Sequence, residues 1–340
     1  MADWPAADLQ MWVALRATGG PFDDRGALTH LRASSMQTLQ ASYGRWLRWL
    51  LTVDPQALGL RPEDRATIPR IEAWLSDLAH TRPMSRLAFV QGVIRVLRAW
   101  ASEHDWSTHR RVISVLKRKA GRGDPDRKKG RILSTDVLLS AGLSYAAPDN
   151  PTALTPLNRM LRCRDGAIVA LLALMPMRRR SFSELRLGQS VHVRDANIII
   201  SLTEDMTKTG VVWEAAVPVQ VEPMLRRYIT EVRPALLARA PRSHDMLWVG
   251  RKGEALTPGA IIHRTRTVTQ VATGRRIPPH FFRDAAATTL ARLSPEAARL
   301  IKPVLGHSGF RTAERHYIHA ETIDAGRVYA ALVERLKRGK

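Results

Sequence analysis

The run KRKAGRGDPDRKKGR, residues 117–131, sets the strongest limit on how this chain can fold. Up to Ala120 it finishes a short helix-forming stretch. From Gly121 onward it holds Gly, Asp, Pro and basic residues, with no Leu, Ile, Val or aromatic side chain. Such a segment has nothing to bury and cannot cross a packed core. Each flank must therefore build its own core, and a chain of 340 residues is long enough for two. The expected organisation is a first domain over 1–122, a basic linker over 123–131 and a second domain over 132–340.

The first part reads as helices. MQTLQASYGRWLRWLL places Leu39, Tyr43, Trp46, Leu47 and Leu50 at helical spacing. IPRIEAWLSDLA repeats the pattern with Ile71, Trp74, Leu75 and Leu78. MSRLAFVQGVIRVLRAWASEH does so with Leu87, Val90, Ile94, Leu97 and Trp100. Each stretch has one apolar stripe. Most of the tryptophans lie in this part, which predicts a helical bundle with an aromatic core.

The second part is mixed. RCRDGAIVALLAL predicts a buried helix that stops before Pro176, because proline lacks the N–H that would continue it. VHVRDANIIISL and TGVVWEAAVPV are rich in β-branched residues and broken by turn signals, so they predict a small antiparallel sheet. VEPMLRRYITEVRPALLARA resumes the helical pattern, and TIDAGRVYAALVERLKRGK closes the chain with one more amphipathic helix. The fold class expected is mainly α: a helical bundle, then a mostly helical α/β domain.

Charge narrows the partners. Fifty-three Lys and Arg face thirty-one Asp and Glu, a formal net charge of +22. A folded protein with this field attracts polyanions, nucleic acid first among them and an anionic membrane surface second. The residues expected to meet phosphates are Arg110, Arg111, Lys117, Arg118, Lys119, Lys128, Lys129, Arg179 and Arg180. No apolar run approaches a membrane span, and MADWPAADLQMW has no signal-peptide pattern, so the expected location is cytoplasmic. The single cysteine, Cys163, sits in the apolar helix pattern as a core thiol and leaves no disulfide to form.

Four stretches could carry chemistry. In LLALMPMRRRSFSELRL an apolar helix stops and three arginines follow, so rigid scaffold can hold a guanidinium for bidentate phosphate contact. In DMTKTGVVW, Lys208 sits at a turn between two β-like segments, where it could donate a proton to a leaving oxygen. In RIPPHFFRDAAATTL, Pro278 and Pro279 suit the first turn of a helix, so His280 and Arg283 share a face near its positive end. LGHSGFRTAERHYIHA holds His307 and Tyr317. Singly, each has an ordinary explanation: a capping histidine, a solvated lysine, a core aromatic. A zinc set of His307, His316 and His319 is disfavoured, since no cysteine lies near and a third ligand beside His316 and His319 would have to be His307 or a carboxylate.

Taken in order, these stretches resemble the tyrosine recombinase (phage integrase) family. MPMR carries the arginine of that family's first motif as Arg178, TKTG its hairpin lysine as Lys208, and HFFR its H-x-x-R as His280 and Arg283. LGH and HYIHA supply His307 and, ten residues on, Tyr317. The resemblance covers most of 132–340. The first part is similar in kind to the family's core-binding (SAM-like) domain, without a motif of its own. Family members often carry an acidic residue three positions after the first arginine; here Ser181 stands there, with Glu184 further on.

The resemblance implies a site-specific recombinase or integrase. Tyr317 would attack a DNA phosphate and form a 3′-phosphotyrosyl link. Arg178 and Arg283 would neutralise the phosphate, His280 and His307 would assist, and Lys208 would protonate the leaving oxygen. It also implies no metal and no nucleotide cofactor, a C-shaped clamp on duplex DNA, and self-association into a tetramer. The same residues are compatible with a type IB topoisomerase-like enzyme. A catalytically inactive sequence-specific DNA-binding protein on this scaffold is the third reading, and no binding role requires Tyr317. The final helix packs either on its own domain or on a neighbouring protomer.

Overall fold

The computed structural model describes residues 3–20, 22, 24–121, 130, 132–147, 154–207, 210, 212–293 and 298–305. The chain divides into two compact units, Met1–Pro125 and Asp126–Lys340. The linker residues Lys128 and Lys129 and the whole segment from Gly306, with His307, Tyr317 and the stretch expected to form the final helix, lie outside the described residues. So does Lys208.

The first unit is helical: α1 (Ala6–Arg16), α2 (Ala33–Val53), α3 (Ile68–Asp77), α4 (Pro83–Trp100) and α5 (Ser107–Ala120). The stripes read from the sequence face inward, except at Trp100, which ends α4 exposed. Tyr43, Trp46, Leu50, Trp74, Ile94 and Leu97 are all buried, together with Trp12 of α1. α2 and α4 cross closely where a side chain at Gly92 would meet the Ser42 Cβ at 2.6 Å. A charged group also lies in this core. Arg65 pairs with Asp8 at 2.5 Å and also donates to the carbonyls of Leu58 and Leu60, while the Tyr43 hydroxyl donates to the other Asp8 oxygen at 2.6 Å. Every polar atom of the Asp8 carboxylate thus has a partner, which is what lets it stay inside.

The second unit is built around α7 (Pro156–Leu174), whose residues Ala167 to Leu172 are wholly buried. α6 (Thr135–Ala146) lies against it at a glycine crossing: a side chain on Gly142 would strike the backbone of Ala170 at 2.5 Å. α11 (Pro258–Thr273) and α12 (Pro279–Leu293) complete the helical core. The sheet has strands β1 (Val191–Val193), β2 (Ile198–Leu202) and β3 (Trp213–Ala216), antiparallel in the order β1-β2-β3. Ile198, Ile200 and Leu202 point inward and Ile199 and Ser201 do not, the two-residue alternation of a half-buried strand. The mainly helical fold with a small sheet is thus present, and Cys163 is buried in its core.

The stretch after β3 is helical, as expected, in three pieces: α9 (Glu222–Arg227), a π-helical turn Tyr228–Val232 and α10 (Arg233–Leu237). Pro234, just after the π-helical turn, has no N–H to continue the helical hydrogen bonding there. Among the described residues no helix is long and apolar enough to cross a membrane.

Candidate active site

α7 stops at Met175–Met177 because Pro176 cannot donate, and Met177 N–H turns back to the Met175 carbonyl at 2.7 Å. The chain restarts as α8 (Arg179–Ser183), with Arg178 in extended conformation at its N-cap. This break aims three consecutive arginines differently. Arg178 is half-buried, whereas Arg179 and Arg180 are exposed. Arg180 pairs with Glu184 one turn on, at 2.9 Å.

α12 starts where the sequence placed it. Gly274 ends α11 in the left-handed conformation, φ 70°, which glycine adopts without strain. The buried Thr269 hydroxyl then accepts the Ile277 N–H at 2.9 Å while donating to the Thr265 carbonyl, and this fixes the Pro278-Pro279 start of α12. His280 lies exposed on the first turn, its ring edge-on to Phe281 at 4.6 Å. Arg283, one turn on, reaches inward. Its Nη1 donates to the Pro176 carbonyl and its Nη2 to the Leu305 carbonyl, both at 2.6 Å. Arg283 therefore joins three segments: the break after α7, α12, and the helix Ile301–Leu305, which packs on α12 through Ala287, Ala291 and Ile301.

Arg178 and Arg283 line one hollow, with Met177, Ser181, Leu202, Thr207, Trp213, Val304 and Leu305. Burial lowers the Arg178 pKa. Burial first, and the neighbouring Arg178 second, push Arg283 down to about 10. Among the described residues that line the hollow there is no carboxylate. Two guanidiniums lining one hollow give it a positive charge, and guanidinium groups suit an anion such as phosphate. Lys208 and His307 are outside the described residues, but their chain neighbours border this hollow: Thr207 precedes Lys208, and Leu305 lies two residues before His307.

The hollow also has walls that sequence reading did not select. Ser181, Thr207 and Trp213 line it beside the arginines. Thr207 and Trp213 flank Lys208 in the sequence, and that proximity was their one available signal. Of the residues expected at phosphates, Arg110, Arg111, Lys117, Arg118 and Lys119 form the exposed, basic side of α5. Among the described residues no group of His, Cys, Asp and Glu is arranged to hold a metal ion.

The phage integrase family model matches residues 150–322. Over 106 residues the chain is 31% identical to the tyrosine recombinase XerC of Azotobacter vinelandii, 31% of this chain and 35% of that protein. Over 85 residues it is 32% identical to the XerC of Anoxybacillus flavithermus, 25% of this chain and 28% of that one. These matches span about a third of the curated relatives' length. Among solved structures, the XerH site-specific recombinase in a post-cleavage complex with palindromic difH superposes with a TM-score of 0.59 at 16% identity, covering 97% of this chain and 96% of that one. The Tn1549 transposon integrase bound to transposon right end DNA gives 0.56 at 14% identity, with 96% and 98% covered. A lambda integrase dimer on a core site gives 0.53 at 15% identity, with 86% and 90% covered. At these identities the likeness establishes a shared fold.

Proposed function

The chain belongs to the phage integrase family, and from that premise we propose that it is a site-specific DNA recombinase acting through a 3′-phosphotyrosyl link to Tyr317. The observation that carries this reading is the single hollow holding Arg178 and Arg283, bordered by the chain neighbours of Lys208 and His307. A backbone phosphate seated between the two guanidiniums has both non-bridging oxygens neutralised as charge builds in the transition state. Tyr317 attacks the phosphorus, and the bond to the 5′ oxygen breaks. Lys208 supplies that oxygen with a proton. His280, at the positive end of α12, and His307 hydrogen-bond the phosphate or take the tyrosine proton. The phosphotyrosyl link keeps the energy of the broken bond, so a 5′-hydroxyl from a second duplex reverses the step and completes an exchange. Two duplexes cut on both strands need four nucleophiles, hence a tetramer on DNA.

The basic linker and α5 supply non-specific affinity. Binding to duplex DNA is expected to weaken steeply with salt, log K falling by ~0.9 per phosphate contacted. Replacing Lys128 and Lys129 with Gln lowers affinity for every duplex and flattens that slope by up to ~2. Filter binding or anisotropy across a salt series checks both, and a slope unchanged by the double replacement removes the linker from the interface.

The recombinase reading itself is tested on a site selected from random duplexes. Two fragments of different length carrying that site are incubated with the protein in EDTA and without nucleotide. Products of recombinant length are expected. Relaxation of supercoiled DNA by a monomer, with no recombinant product, would replace this reading with a topoisomerase-like one.

A further inference from the structure

We propose that Trp248 is a positioning residue for Arg178, holding the short helix α8 in place through the ring and the carbonyl of Phe182. The proposal rests on the phosphate-binding role given to Arg178 above.

α8 has five residues and follows the break that ends α7. A helix of that length has too few hydrogen bonds to sustain itself, so other segments must fix it, and with it the arginine at its N-cap. On one side Arg283 donates to the Pro176 carbonyl, two residues before Arg178. On the other side the contact runs through Phe182. Its N–H donates to the Arg178 carbonyl at 2.9 Å, and its own carbonyl accepts the Trp248 Nε1–H at 3.1 Å. The two rings also stack, with centroids 5.1 Å apart and planes at 25°. Both side chains are fully buried.

Trp248 is itself held from two directions. Tyr228 stacks on the indole with centroids 5.3 Å apart. Its hydroxyl donates to the Leu247 carbonyl at 2.9 Å and accepts the Val249 N–H at 3.0 Å. One hydroxyl thus pins the backbone immediately before and after Trp248. Arg164 of α7, paired with Asp165 at 2.6 Å, donates to the Val249 carbonyl at 2.9 Å. Tyr228 also opens the π-helical turn, a geometry that recurs at functional sites. Burial alone does not account for the indole at 248. Trp12 and Trp46 are as deeply buried in the first unit, and among the described residues their Nε1 atoms have no hydrogen-bond partner. At Trp248 the N–H is spent on the residue that bonds Arg178. A guanidinium that neutralises charge in a transition state works only at the right distance, and a displacement of about 1 Å costs on the order of 10²-fold.

A double-mutant cycle separates positioning from general stability. Trp248→Phe keeps an aromatic ring in the core and removes the N–H donor. Single-turnover cleavage of a suicide duplex is measured at saturating protein for wild type, Trp248→Phe, Arg178→Lys and the double variant, below the melting temperature of each. Trp248→Phe is expected to slow cleavage by about ten- to hundredfold with the affinity for the duplex unchanged. In the Arg178→Lys background the same change is expected to add little, because the planar fork that it positions is already gone. Tyr228→Phe loses only the hydroxyl, is expected to depend on Arg178 in the same way, and carries the cycle if Trp248→Phe does not fold. Slowing by the same factor in both backgrounds, or no slowing in the wild-type background, overturns the proposal. An Arg178→Lys variant that cleaves at the wild-type rate overturns the role given to Arg178, and the proposal with it. Failure of the wild type to cleave the duplex overturns the recombinase reading on which both stand.

Discussion

Tyr317→Phe is expected to abolish covalent attachment to DNA while leaving binding intact. The substitution removes one oxygen atom, with no change of charge at neutral pH and almost none of volume. A free tyrosine has a pKa near 10 and is a poor nucleophile, so the site must supply the help, and the Arg178–Arg283 hollow offers positive charge for that purpose. Without the hydroxyl the hollow is expected to hold the phosphate still, with no nucleophile to join it. The cleavage rate should fall on the order of 10⁴-fold or more. Denaturing gels score the adduct, and anisotropy on the same duplex scores binding. A protease-resistant adduct formed by the variant would mean that another side chain attacks.

Arg178→Lys carries the second large effect. Lysine keeps the charge but loses the planar fork that meets two phosphate oxygens. The contact tightens as charge builds in the transition state, so its loss is expected to slow cleavage by about 10²–10³-fold and to weaken binding far less. The neighbouring arginines should behave differently. Arg179 is exposed and Arg180 is turned to Glu184, and a phosphate contact on the outside of the protein tolerates either cation. Arg179→Lys and Arg180→Lys are therefore expected to cleave close to the wild-type rate. Single-turnover cleavage at saturating protein compares all three. A dead Arg179→Lys beside an active Arg178→Lys would move the clamp by one residue.

The helices and the sheet were legible because their signals are local. The apolar stripe of α2, the stop at Pro176 and the alternation of Ile198, Ile200 and Leu202 each follow from spacing that a single segment contains. The π-helical turn at Tyr228–Val232 was not, since an apolar stripe looks the same whether a turn holds four residues or five. Within the site, Arg178 and Arg283 could be named from sequence because motif order selects them. Their meeting in one hollow depends on the carbonyls of Pro176 and Leu305, which are backbone groups with no sequence signature. Ser181 shows the same limit. In the sequence it is a departure from an acidic position, and its hydrogen bond to the Met206 carbonyl is a tertiary contact that no local pattern announces. The buried Asp8–Arg65 pair joins residues fifty-seven apart and left no trace in the periodicity of α1.

The central claim is that Tyr317 becomes joined to a 3′ phosphate, and identifying the adduct tests it most directly. Wild-type protein is trapped on a nicked suicide duplex, digested with trypsin, and the nucleotide-bearing peptide is sequenced by mass spectrometry. The account predicts the peptide HYIHAETIDAGR, residues 316–327, with the 3′-phosphate of the cleaved strand on Tyr317 and a free 5′-hydroxyl on the released end. A nucleotide on any other residue, a 5′-phosphate linkage, or cut ends with no protein attached would contradict it.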